Sequence, residues 1–252
     1  MKNVLKDLKR EPSKYLVIHY SSESLFDEVE NAYSPRITSI VVMFFENRQT
    51  KTFSLHAIAE ELNILRENVV SRNDDIERVL LDRFCAFAKS NFDKCWLHWN
   101  MRNTVFGFEH LEHRYRVLVK QEPPTIPVDN RVNVSDILKY NYGSDFAPDP
   151  RMLKLMELNG RRDPRFLSGQ DESTAFKKQE FIRMNSSTIS KVEFFGFVLD
   201  RAAKGKLVTA GRSLIVRLDR ALETRFSRIV ALISAFIGIL GWVFFLVSFI
   251  GS

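Results

Sequence analysis

The chain has 252 residues, 45% of them hydrophobic and 27% charged, which excludes a disordered stalk and leaves ample apolar material for a folded core. Its formal net charge of +6 favours anionic lipid headgroups or nucleic acid over acidic proteins. The opening residues, MKNVLKDLKREPSKYLVIHY, mix charges throughout and lack the uninterrupted apolar stretch of an export signal.

Residues 1–13 form a charged lead, and residues 15–20 (YLVIHY) are an apolar, partly β-branched run that predicts a buried strand ending in a loop over residues 21–24. Residues 37–45 (ITSIVVMFF) predict a second strand, residues 47–50 a hairpin turn, and residues 51–55 a third strand. Two helices follow over residues 56–65 and 74–89. The second places Ile76, Val79, Leu80, Phe84 and Phe87 on one buried face, with Asn73 as its N-cap. A short strand over residues 95–100 precedes a helix with the stripe Phe108, Leu111, Tyr115 and Leu118, so a β-β-β-α-β-α order emerges.

Pro123, Pro124 and Pro127 impose a loop, after which residues 132–142 read as a short strand or a helix. Residues 151–158 form a helix closed by Asn159 and Gly160, and residues 172–184 form another. Ser187 then caps a helix over residues 188–203, with a stripe of Ile189, Val192, Phe195, Leu199 and Ala202 and a stop at Gly205. The 21 phenylalanines imply a densely packed interior, and Cys85 and Cys95 read as buried free thiols of a reducing compartment.

Residues 229–250 (IVALISAFIGILGWVFFLVSFI) carry no charge. At about 1.5 Å per residue, about 22 residues span roughly 33 Å, enough for a hydrocarbon core of about 30 Å. Arg217, Arg220, Arg225 and Arg228 precede this run and only Gly251 and Ser252 follow, so the larger N-terminal part is expected in the cytoplasm of a single-pass, tail-anchored membrane protein. Its partner is the lipid bilayer. Between domain and span, residues 206–228 read as a basic amphipathic juxtamembrane helix with Leu214, Leu218, Leu222 and Phe226 on one face; it suits the bilayer surface, the flank of the domain or a dimer seam equally. Within the span, Ala231, Ser234, Ala235, Gly238 and Gly241 bring small residues to one side, an expectation of homo-oligomers formed through close helix contact.

Residues 14–205 constitute the cytoplasmic α/β domain. Their element order, with three local phrases, resembles the DnaQ-like 3′–5′ exonuclease branch of the RNase H-like fold. Residues 16–21 occupy the place of that family's first strand, which ends in an Asp-x-Glu pair. Trp99-Asn100 followed by Phe106-Gly107 resembles its second motif, and residues 187–191 fall at its third. The resemblance implies an RNase H-like mixed sheet with flanking helices and a groove lined by His19, Ser21, Glu23, Asn100, Arg102 and Lys191. It also implies a nucleic acid or nucleotide as the class of ligand. The departures are chemical: His19, Ser21 and Gly107 stand where the family carries acids, and at the third motif an acid, Glu193, comes into register only if the alignment slides. Two-metal phosphodiester cleavage needs carboxylates to hold its cations, so these departures imply a catalytically silent member with neither catalytic residues nor a cofactor.

Other motifs are weaker. Glu109-His110-Leu111-Glu112-His113 lacks the His-Glu-x-x-His spacing of a zinc site and reads as a solvated helix surface, so no metal site is expected. Gly205-Lys206 is followed by Leu207 where a phosphate-binding loop needs Ser or Thr. Arg161, Arg162 and Arg165 suit phosphate, headgroups or a solvated loop. Three functions therefore stand: a non-catalytic binding or scaffold domain on a membrane anchor, a membrane-tethered nuclease or nucleotide-processing enzyme whose acids come from Glu23, Asp136, Asp145 or Asp171, and a membrane effector of a bacterial defence or stress system.

Overall fold

The computed structural model describes residues 4–23, 34–102 and 106–212. At its centre lies β1 (Tyr15–Ser22), in which every residue is buried. An unbroken apolar run is what a strand covered on both faces requires. This strand pairs antiparallel with β2 (Ile37–Phe44) and parallel with β4 (Cys95–His98). Next to β2 lies β3 (Thr50–Ser54), antiparallel to it, and next to β4 lies β5 (Arg131–Asn133), parallel to it. The result is a five-stranded mixed sheet of order β3-β2-β1-β4-β5, in which β2 runs against both of its neighbours.

Because strand side chains alternate, β1 sends Leu16, Ile18 and Tyr20 to one face and Val17, His19 and Ser21 to the other. The first face packs on α3 (Asn73–Lys89) and α4 (Phe108–Val119), with α2 (Leu55–Glu61) beside them; Ile76, Leu80, Phe84, Leu111 and Trp96 are buried there. The second face packs on the 23-residue α8 (Phe181–Ala203) through Val192, Phe195, Val198 and Leu199. Around α8 lie α1 (Val4–Arg10), α5 (Val134–Tyr142) and α6 (Arg151–Leu158). Among the described residues the phenylalanines are largely interior. Phe84 and Phe87 meet Trp96 edge-on, and Phe195 stacks on Trp99 at 5.5 Å. Gly196 lets α8 approach β2 closely, since a Cβ there would collide with Met43 and Arg48.

Several expectations are corrected by the tertiary structure. The predicted loop at residues 21–24 begins later, because Ser21 and Ser22 continue β1 with a register shift between them. Asn73 is the first residue of α3 and not its cap. Residues 131–142 are strand and helix in succession, the Asn133 side chain capping α5 by accepting from the Ser135 amide. The helix expected over residues 172–184 breaks in two: α7 (Gly169–Lys177) ends, Gln179 adopts a left-handed φ of 59°, and α8 begins at Phe181. Ser187, expected as a cap, lies inside α8. No glycine or proline announces this break. Both thiols are free, but Cys95 is half-buried where Cys85 is buried; burial pushes them up to about 11 and about 12, so they are protonated and inert.

After α8 the chain packs back on the second face, with Leu207 buried and the Ala210 amide bonded to the Phe146 carbonyl. Among the described residues no helix is long and apolar enough to cross a membrane. The amphipathic helix expected over residues 206–228 does not begin at 206, because residues 206–209 are not helical and Ala210–Arg212 make only a 3-10 turn. Residues 213–228, the expected span over residues 229–250, its small-residue side and the flanking arginines lie outside the described residues.

Candidate functional site: a filled groove beside β1

At the carboxyl end of β1, Ser21 pairs with Ser39 of β2, and both face α8. Two helices bring charge to this point. A capping box, in which Ser168 and Asp171 bond each other's backbone amides, starts α7 and leaves Glu172 in its first turn pointing inward, 1% exposed. On α8, Ser187 and Lys191 are four apart and share a face, with Thr188 beside them. Three donors converge on one oxygen, Glu172 Oε1: the Lys191 ammonium at 2.7 Å, the Ser21 hydroxyl at 2.8 Å and the Ser187 hydroxyl at 3.1 Å. Thr188 Oγ1 lies 2.7 Å from Ser21 Oγ and 2.9 Å from Ser39 Oγ. Each hydroxyl has one proton: Ser21 gives its own to Glu172 and Thr188 accepts from Ser39, while the single Thr188 proton is shared between Ser21 Oγ and the Met184 carbonyl at 3.0 Å. Ser187 Oγ also accepts the Leu167 amide at 3.0 Å, which ties the approach to α7 onto α8.

His19, two residues before Ser21 on the same face, is held edge-on between the rings of Phe106 and Phe195, each at 5.5 Å. Its Nδ1 is buried without a partner. Burial, then the neighbouring Lys191 charge and His98, hold this imidazole well below its ordinary range, so it is neutral. Ser21 and Lys191 are thus joined by Glu172, which sequence reasoning placed only in a helix, and His19 lies on the same face two residues before Ser21.

Asn100 and Arg102 belong elsewhere, beyond the end of β4. Asn100 adopts a left-handed φ of 54° and is held by Asn133, which donates to Asn100 Oδ1 at 3.1 Å and accepts the Asn100 amide at 3.1 Å. Arg102 pairs with Asp136 at 2.6 Å and bridges to Gly107. Arg102, Asn133 and Asp136, together with His98, Arg131 and Glu109, border a cavity of about 370 Å³. The Glu23 amide bonds the Arg36 carbonyl at the root of the β1–β2 connection. Of the alternative acids, Asp136 is engaged by Arg102 and Asp171 by its capping box. Among the described residues, no three His, Cys, Asp or Glu side chains are grouped to hold a metal ion.

On the first face, two polar arrangements escaped the sequence. His110, expected on a solvated surface, is fully buried. Its Nε2 lies 2.9 Å from the Pro35 carbonyl, which only accepts, so Nδ1 accepts from the Tyr20 hydroxyl at 2.9 Å; that hydroxyl in turn accepts the Gly107 amide. Burial lowers this imidazole to about 4. Glu77 and Arg114 form a buried two-pronged pair at 2.8 and 2.6 Å, with the Ile37 amide on the same carboxylate. Burial raises the Glu77 carboxyl while Arg114 pulls it back. The i, i+4 placement of His110 and Arg114 on α4 was the available signal. Arg165, from the arginine group, is exposed and pairs with Asp163 and Glu193.

No family model matches the chain, and neither a curated protein nor a solved structure does.

Proposed function

We propose that the chain is a membrane-anchored, non-catalytic binding or scaffold protein: a cytoplasmic RNase H-like domain, with its ancestral groove closed, on a C-terminal span at residues 229–250. Two features support the RNase H-like reading. One is the strand order β3-β2-β1-β4-β5 with β2 reversed, and the other is a long helix, α8, laid across β1 and β2.

The observation that carries the functional reading is the occupant of the groove. Lys191 and Ser187 fall at the third motif of the resembled exonucleases, and His19 and Ser21 at the first. There an ammonium, 4% exposed, sits on a single carboxylate among hydroxyls. A two-metal nuclease needs several carboxylates whose charge is met by cations from solution. Here one carboxylate is already met by a covalently tethered cation, and among the described residues no further acids are grouped beside it to hold a metal pair.

The test uses the full chain in detergent with magnesium or manganese. Single- and double-stranded DNA and RNA are expected to stay intact. Metal-dependent degradation abolished by Asp136→Ala or Glu23→Ala would overturn the reading in favour of the enzyme. The anchor is tested separately: full-length protein is expected in the membrane fraction, and recovery in the soluble fraction without detergent would remove that half of the proposal.

A further inference from the structure

The cavity of about 370 Å³ lies outside the carboxyl ends of two parallel strands, β4 ending at His98 and β5 at Asn133, where α4 and α5 begin. Open α/β sheets bind small ligands in such crevices, and this volume falls within the roughly 300–1,000 Å³ of small-molecule sites. What the wall offers can be read from bonds already spent. His98 Nδ1 accepts the Met101 amide at 3.1 Å, so its proton is on Nε2, and that N–H is the group left for a ligand. Arg102, half exposed, gives one guanidinium nitrogen to Asp136 Oδ1 and keeps its other side-chain N–H groups. Arg131 is different: it spends Nε on the Ile126 carbonyl, Nη1 on Glu109 and Nη2 on Glu112, and its guanidinium lies over the Phe108 ring, so it is a fixed part of the wall. Glu109 Oε2 and Asp136 Oδ2 remain as acceptors.

The wall therefore pairs N–H donors, on Arg102 and His98, with two carboxylate acceptors, on Asp136 and Glu109. Donors of this kind take an anionic oxygen group, Arg in a forked geometry above all. Carboxylates take hydroxyls. Since each carboxylate is already paired with a guanidinium, the wall has no excess negative charge to draw a bare cation. The N-terminal turns of α4 and α5 add partial positive charge beside the cavity.

We propose that this cavity binds a phosphorylated sugar, free or as part of a mononucleotide, with the phosphate on Arg102 and His98 Nε2–H and the sugar hydroxyls on the Asp136 and Glu109 carboxylates. The inference goes beyond the closed groove and the membrane anchor and rests on neither, so its failure leaves those standing.

The experiment is calorimetric titration of the full chain in detergent with ribose 5-phosphate, with each of the four common ribonucleoside monophosphates, and with inorganic phosphate and ribose as separate probes. At least one phosphorylated sugar is expected to bind at least tenfold more tightly than either inorganic phosphate or ribose. Equal binding of ribose 5-phosphate and the nucleotides assigns a free sugar phosphate, and preference for one nucleotide assigns that base. Arg102→Gln is expected to weaken binding at least tenfold. Val128→Trp, at a cavity-lining residue that is 74% exposed and therefore not needed for the core, is expected to block it. No heat from any phosphorylated sugar at millimolar concentration, inorganic phosphate binding as tightly as the sugar phosphates, or binding unchanged in Val128→Trp would each overturn the proposal.

Discussion

The two faces of the sheet each bury one acid–base pair, and the pairs are built differently. On the first face, Arg114 grips Glu77 through two nitrogens, one on each carboxylate oxygen, and the Ile37 amide shares the load. On the second face, Lys191, Ser21 and Ser187 all converge on one oxygen of Glu172. The fork fixes geometry: it joins α3 to α4 and to the start of β2, as a planar guanidinium does wherever orientation matters. The convergent arrangement concentrates donors at a point, which is how a point charge on a flexible stem behaves. The first pair reads as a structural clamp, and the second as a plug between α8 and β1.

Acid is expected to affect stability most and on both faces. His19, His98 and His110 are all buried and held below their ordinary range, His98 and His110 to about 4. The unfolded chain binds these protons first, so stability is complete above about pH 6.5 and falls as pH drops toward about 4. The loss is on the order of 3 kcal/mol for each of His98 and His110. Glu77, whose carboxyl is raised, titrates in the opposite sense and offsets a part. Denaturation midpoints of the full chain at pH 7 and pH 5, followed by tryptophan fluorescence, check this. Equal midpoints would mean that these imidazoles protonate freely and are not sealed in.

Next comes the clamp. Arg114→Met leaves the Glu77 carboxylate buried with only the Ile37 amide among the bonds described above, and is expected to cost about 3–5 kcal/mol. Lys191→Met leaves Glu172 with two hydroxyl donors, so a smaller loss, about 2–3 kcal/mol, is expected. The double variant Glu172→Leu/Lys191→Met is expected to be more stable than Lys191→Met alone, since no unpaired charge remains. If Lys191→Met proves costlier than Arg114→Met, the distinction between clamp and plug is lost. The smallest effect belongs to the surface: Glu193→Ala, breaking an exposed contact with Arg165, is expected to change stability by less than about 1 kcal/mol.

Much of the layout was legible from local pattern. The strands over residues 15–20 and 37–45 and the helix over residues 151–158 follow from uninterrupted apolar runs and from periodicity with a clear stop, and the structure has them within a residue or two. The break between α7 and α8 was not legible, because a left-handed Gln179 carries no composition signal and the amphipathic pattern runs straight through it. Nor was Glu172, because nothing in a sequence distinguishes an acid aimed inward at a lysine nineteen residues later from one aimed at water.

By itself, then, the sequence determined where most of the strands and helices fall and where a charge-free run of membrane length lies, since each of these is a property of neighbours along the chain. Only the tertiary structure decided the sheet order, the burial of His110, and which carboxylate Lys191 neutralises. Those depend on desolvation and on contacts between residues far apart in the chain, and a buried charge declares its partner only when the fold has removed the water that would otherwise serve.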